Sequence, residues 1–440
     1  MKGARIAVLG GGWAGLAAAV QATERGARVT LLDMAPQWGG RARSHPASRL
    51  DNGQHILIGA YRECLALMRR VGVDPERALL RLPLQLRRAD GLRFELPTGP
   101  APLAFVRGVA GCKAWSWNDR LALLRHGAAW AWQGFKSEPD RPVAQLCARL
   151  PAAVRELLVD PLCVAALNTP SPDASAAVFL RVLKDGLFGG PGASDLLLPR
   201  VPLAELLPEP AAAWLQRHGA RLAAPRRAGA LLRVATGWKV DDEAFDAVVL
   251  ATPAREAARL AAPHVDSWAR KAGALAFEPI VTVVLRVADA RLPLPMMALS
   301  ESVTEPAQFV FDHGLLDGSA GRWVFVVSGA APWVDRGTAA VEQAVRSQAA
   351  RQLSAWGFDD SKAVVEAITT EHRATFRCTP GLERPPMRLA PRLVAAGDYV
   401  EGPYPATLEG AVRSGLAAVD ALATEWAGGK RASAMQNTLS

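Results

Sequence analysis

Ile6 to Leu9 is an unbroken apolar run, Leu16 to Arg25 has helical composition ended by Gly26, and Val29 to Leu32, apolar but for Thr30, reads as a second strand. Unbroken runs of this length suit parallel strands buried on both faces. Arg5–Leu9 and Arg28–Leu32 therefore predict two strands joined by a right-handed helical crossover. From about Leu82 to Pro199 the chain is rich in Leu, Ala, Arg and Trp, which reads as helices broken at Pro139, Pro142, Pro151 and Pro161. Phe245 to Pro253 returns to a short buried strand, while Ile280–Val287 and Trp323–Ser328 suit antiparallel strands of a second sheet. Glu342–Trp356 predicts an amphipathic helix, Val394–Gly397 a strand and Thr407–Leu416 the opening of a last helix. The expected fold is α/β. Segments 1–81, 200–265 and 389–427 build one domain around a parallel sheet, and 82–199 (helical) and 266–388 (sheet) build an α+β part. Residues 428–440 are expected to be a frayed tail.

Chemistry enters at the turns. Gly10, Gly12 and Gly15 follow the first strand at the spacing that permits a tight turn, close approach of a pyrophosphate, and tight helix packing. The helix opening at Trp13 and Ala14 presents free N–H groups to phosphate. Asp33, with Met34 beside it, ends the second strand where an acid receives ribose hydroxyls. Gly39-Gly40-Arg41 suits a loop crossing the same phosphates and offering a guanidinium. Asp51-Asn52-Gly53-Gln54-His55 is a polar cluster leading into Ile56-Leu57-Ile58; a hairpin turn with a satisfied histidine is the commoner fate of such a residue. Ala251 closes the middle strand. At the other end, Gly397-Asp398 ends a strand before a helix carrying Thr407, Leu408, Glu409 and Val412. Two such ends gripping one ligand point to FAD, with Asp398 near its ribityl or pyrophosphate and the last helix stabilising charge on the reduced ring.

Composition narrows the picture. Of 440 residues half are hydrophobic and 21% charged, with a net charge of +9. The cations are scattered, so no basic stripe points to nucleic acid. Five cysteines without CxxC spacing favour a reduced cytoplasm over disulfides or zinc. No signal peptide and no membrane-spanning run is read. Trp115, Trp117, Trp130 and Trp132 cluster with leucines, which reads as core ahead of a membrane-interface patch backed by Lys113, Arg120 and Arg125.

Together the Gly loop, the GGR loop, Asp246 to Pro253 and the C-terminal Gly-Asp…Glu-Gly-Ala…Ser-Gly resemble the FAD-dependent amine oxidase and phytoene desaturase superfamily. Asp51–Tyr61, Pro161–Pro170, Ser194–Arg200, Phe311-Asp312, Arg373–Phe376 and Asp398-Tyr399 further resemble the hydroxysqualene dehydroxylases. That resemblance implies a Rossmann-like FAD domain and an oxidoreductase replacing the allylic hydroxyl of hydroxysqualene with hydride from reduced flavin. It implies upstream prenyl synthases as partners, in hopanoid or carotenoid squalene supply. The chain departs from the wider superfamily at Asp33, where Glu is usual, and at Pro225-Arg226-Arg227, where a valine often meets adenine. No cysteine lies in the C-terminal motif, so FAD is expected to be noncovalent. Leaving hydroxide needs a proton, and the candidate acids are His55 first, then Asp312 and Tyr404. An apolar tunnel is expected in residues 100–190, with peripheral attachment to the inner face of the cytoplasmic membrane. Two rivals stay open: a desaturase or amine oxidase run oxidatively, and a lipid-binding protein without catalysis.

Overall fold

The computed structural model describes residues 1–437, with side chains through 427. Strand β1 (Arg5–Leu9), helix α1 (Trp13–Glu24) and strand β2 (Arg28–Leu32) form the expected unit. Helix α1 is Ala-rich and buried on nearly every side, so it lacks a single apolar stripe. Helix α2 (Arg62–Arg70) does carry one, through Cys64, Leu65, Leu67 and Met68. The helical part holds α3 (Ala101–Gly111), α4 (Trp117–Trp132) and α5 (Ala176–Phe188). Ser116 and Asp119 close a reciprocal capping box on α4.

Pro161 corrects one expectation. The helical run from Ala152 to Leu167 passes through it, because Arg155–Val159 forms a π turn and Pro161 falls in the first turn of Asp160–Leu167. Widening the turn changes which amides must be donated, so the missing N–H is tolerated there.

Strands β3 (Arg221–Ala223) and β4 (Ala247–Leu250) return to the first sheet. The second sheet comprises β5 (Phe277–Arg286), β6 (Met296–Ala298), β7 (Phe309–Asp312) and β8 (Arg322–Val327). Helix α6 (Thr338–Gln352) starts and stops four residues before the sequence-based range. Strand β9 (Val364–Phe376) was not anticipated; it is mostly half-exposed and polar in its middle, so no clean alternation marks it. The chain ends with β10 (Arg388–Ala390), β11 (Leu393–Ala395) and α7 (Leu408–Asn437). The α7 backbone continues past residue 428, where a frayed tail was expected; residues 438–440 lie outside the described residues.

The first sheet runs β10–β11–β4–β1–β2–β3, parallel except for β10. The second runs β6–β7–β8–β5–β9 and is antiparallel. One face of it (Val281, Val283, Val310) packs on α6, and the other (Phe309, Phe311, Val324) joins the core of the helical part. Helix α7 lies directly on α1: a Cβ on Gly415 would sit 2.1 Å from the Ala14 carbonyl oxygen. Two helix N-termini thus come together at the carboxyl ends of β1 and β11, the usual ligand edge of such sheets.

Candidate active site

Gly10 has φ +109°, and a Cβ there would lie 2.4 Å from the Ala251 carbonyl oxygen. On Gly15 it would lie 1.8 Å from the Gly10 oxygen, so helix and turn are in direct contact. Gly12 differs. Its Cβ would meet nothing nearer than the Gly40 Cα at 3.9 Å, so no protein neighbour demands glycine, whereas a ligand pressed to the backbone would. The first turn of α1 has no capping side chain and no acid, although Trp13, Ala14 and Gly15 are buried. Their amides find no protein acceptor among the described residues. The buried Thr252 hydroxyl beside Gly10 also lacks a partner. Buried donors left unmet cost about 1–3 kcal/mol each, and phosphate oxygens meet them well. The residues present therefore fit a pyrophosphate.

Asp33 clamps this turn. Its Oδ2 accepts from the Gly11 amide at 2.5 Å and its Oδ1 from Ala35 at 2.7 Å. Each oxygen retains a lone pair for a ribose hydroxyl. Met34 next to it is largely exposed. Gly39 bridges to Gly12 and donates to the Gly11 carbonyl at 2.8 Å, so the second loop lies across the first. Arg41 and Asp398, both expected to face the cofactor, pair with each other at 2.6 Å. Arg41 also donates to the carbonyls of Ala374 (2.8 Å) and Arg373 (3.1 Å) at the end of β9. Asn52 joins them, donating to the Arg41 carbonyl and to Glu371, each at 3.1 Å. Three distant stretches of the chain meet in this polar junction.

Thr407 caps α7, accepting from the Gly410 amide at 3.0 Å. Glu409 reaches sideways instead: its carboxylate accepts from the Glu63 and Cys64 amides at 3.1 and 2.9 Å, capping α2, and from Arg413 at 2.7 Å. Val412 is fully buried in the core beside the first sheet, with Leu408 packed against that core and Ala251 at its edge.

The Asn52–His55 loop lies over the second sheet. A Cβ on Gly53 would be 3.7 Å from the His55 ring and 3.8 Å from the Thr282 hydroxyl of β5. His55 Nδ1–H donates to the Gly53 carbonyl at 2.9 Å, which leaves Nε2 with a lone pair. Burial lowers the His55 pKa below 6.5; the Gly53 hydrogen bond and the Asp51 charge oppose it without overcoming it. Gln54 contacts Nε2 of His313 at 3.0 Å, and His313 Nδ1 meets Asp317 at 2.7 Å. Burial would raise Asp317, but His313 and Ser319 hold it at about 2.

The other two candidate acids sit elsewhere. Asp312 follows Phe311 and so points to the α6 face of the sheet, where its oxygens accept from the Leu292 and Gly314 amides at 2.9 and 2.8 Å. It is a turn-holding carboxylate on the face opposite Phe311. Tyr404 donates to Asp185 at 2.8 Å and lies under the Arg181 and Arg413 guanidiniums, linking α5 to α7. Burial, then that hydrogen bond, raises its pKa and keeps it a phenol.

Sequence reasoning missed His313, Glu371, Thr252 and Tyr399. The Tyr399 ring folds against Gly397, and its buried hydroxyl has no partner. Only the juxtaposition with Asp312 and Asp398 marked His313 and Tyr399 in the chain. Behind α3 and α4 lies a cavity of about 20 Å³ with an all-apolar lining that includes Phe105, Leu123, Trp130, Phe179 and Leu183. All five cysteines are buried and unpaired, and no cluster of metal-ligating side chains occurs among the described residues.

The model of the family "Flavin containing amine oxidoreductase" matches residues 13–423, and the chain belongs to that family. It is similar to the hydroxysqualene dehydroxylase of Rhodopseudomonas palustris, 29% identical with 94% of this chain and 97% of that protein covered. That of Zymomonas mobilis is 27% identical at the same coverage. In fold it matches an oxidoreductase from Methanosarcina mazei, with a TM-score of 0.73, 14% identity, and 94% and 100% of the two chains covered. The protein is an FAD-dependent oxidoreductase.

Proposed function

We propose that this flavoenzyme converts hydroxysqualene to squalene within isoprenoid biosynthesis, using substrate made by prenyl synthases. One juxtaposition carries the reading: the half-buried His55 loop rests on the second sheet, and that sheet's Phe309 and Phe311 share a core with the apolar cavity of the helical part. A polar proton carrier bordering the same apolar core as a hydrocarbon-lined cavity suits an allylic alcohol in a long isoprenoid. The similarity to hydroxysqualene dehydroxylases over nearly the whole chain supports the same substrate.

Replacement of the hydroxyl balances as R–OH plus proton plus hydride giving R–H and water. Reduced FAD supplies the hydride when bound. The Gly10–Gly15 turn and the start of α1 would hold its pyrophosphate, Asp33 its ribose, and the start of α7 its ring end. Protonated His55 delivers a proton from Nε2 to the leaving oxygen, because Nδ1 is committed to Gly53. The apolar walls keep water from the carbon cation that results. A cavity of about 20 Å³ is smaller than the roughly 150 Å³ that holds benzene, so the helices part to admit substrate. No helix among the described residues is long and apolar enough to cross a membrane, and the substrate is taken up at a bilayer surface.

Anaerobic incubation of the holoprotein with hydroxysqualene and a reductant, followed by detection of squalene, tests this. Squalene formation is expected. Desaturation of phytoene with an oxidant, and no squalene, would establish the oxidative rival instead.

A further inference from the structure

We infer that the outer faces of α3 and α4 form a docking surface for an anionic phospholipid bilayer. The four clustered tryptophans divide into two pairs. Trp115 and Trp130 are buried, and Trp115 donates to the Ala153 carbonyl at 3.1 Å, whereas Trp117 and Trp132 are 77% and 93% exposed. Helix α4 is thus apolar on both sides: Leu123, Gly127 and Trp130 face inward, while Trp117, Leu121 and Trp132 face out. At 100° per residue the outward three fall within about 60° of one another, and the tryptophans stand about 22 Å apart along the axis. Helix α3 repeats the arrangement, with Phe105 and Val109 inward and Leu103 and Val106 outward. Phe105 packs on Gly127, so the inner faces of the two helices are in contact and the exposed apolar residues of each are left to solvent.

A surface helix normally turns charge outward. Apolar outer faces with tryptophan at their ends suit insertion at headgroup depth. Charge names the occupant. A groove of about 350 Å³ between α3 and the hairpin of Gln85–Arg87 and Arg93–Glu95 is edged by Arg93 and Arg107. Neither has a carboxylate partner among the described residues, and Glu95 is taken up by Arg87. Lys113 and Arg125 are also exposed, and the one acid of α4, Asp119, is held in its capping box. Cations around an apolar face complement lipid phosphate. The surface rests on the proposed function only for its purpose, delivery of an insoluble substrate to the cavity behind it.

The full-length holoprotein is sedimented with vesicles of phosphatidylcholine alone and with added phosphatidylglycerol. A second readout is an environment-sensitive dye on Trp132→Cys, usable because the native cysteines are buried. Binding to the anionic vesicles with a blue-shifted dye is expected. Arg93→Gln with Arg107→Gln weakens it about thirtyfold, and Trp117→Ser with Trp132→Ser abolishes the apolar contribution. Unchanged binding of the double tryptophan variant overturns the proposal. So does a wild-type dimer that ignores vesicles and dissociates in that variant, which would assign the face to a second copy. The variant is expected to retain flavin and to turn over detergent-dispersed hydroxysqualene as wild type does. If neither protein turns it over, the proposed reaction fails while the docking result stands on its own.

Discussion

The proposed phosphate end of the site and its proposed hydrocarbon end are built by opposite means. At the first, backbone would do the binding: a turn at Gly10, uncapped amides at Trp13 to Gly15 and one acid, all within residues 10–33. At the second, side chains from the 52–55 loop, β5, the 3₁₀ turn at His313–Leu315 and the helices α3 to α5 border one apolar core from across the chain. Backbone amides are the same whatever the residue, so the first end depends on where side chains are absent. The second depends on which side chains are present, and it can change substrate without disturbing the cofactor.

The sharpest way to break this contrast is at Gly15. Gly15→Ala drives a Cβ into the Gly10 carbonyl, so a loss of about 3 kcal/mol or more and no recoverable flavin are expected by thermal melting and absorbance. His55→Phe should do the reverse, retaining flavin while turnover falls about a hundredfold or more. The pH profile refines that result. Burial holds His55 below 6.5, so its acid form is the minority at neutrality; wild-type kcat should rise as pH falls toward that pKa, and the variant's profile should be flat there. Gly12→Ala separates fold from ligand at a single position: with no protein atom within 3.9 Å, the melting temperature of the flavin-free protein should hold while FAD affinity drops about tenfold. Smallest is Glu409→Gln, which weakens the cap on α2 and leaves Arg413 short of a charge; about 1–2 kcal/mol is expected in denaturant, with flavin retained.

The same contrast explains what could be read in the chain. The strand, turn and helix of residues 5–32 were legible because every determinant is local and periodic. Strand β9 was not, since its middle is half-exposed and Thr-rich and is held by pairing with β5. Pro161 misled because a π turn upstream, a matter of backbone register, absorbs it. Arg41 and Asp398 were each recognisable as polar residues of a cofactor motif, but their pairing across 357 positions is a tertiary fact. Asp312 looked available only because the strand parity that turns it toward α6 is set by its neighbours Phe309 and Phe311.

Strand order in the first sheet also governs how the protein comes into being. β1 lies between β2, made almost at once, and β4, which begins 238 residues after β1 ends. At ribosomal rates of about 5–20 residues per second, one edge of β1 waits roughly 12–48 s for its partner. β11 and α7, which would complete the proposed second grip on the cofactor, come last of all. With that grip, flavin loading would wait for α7, and the nascent protein carries an open sheet edge that aggregation competes for until β11 arrives.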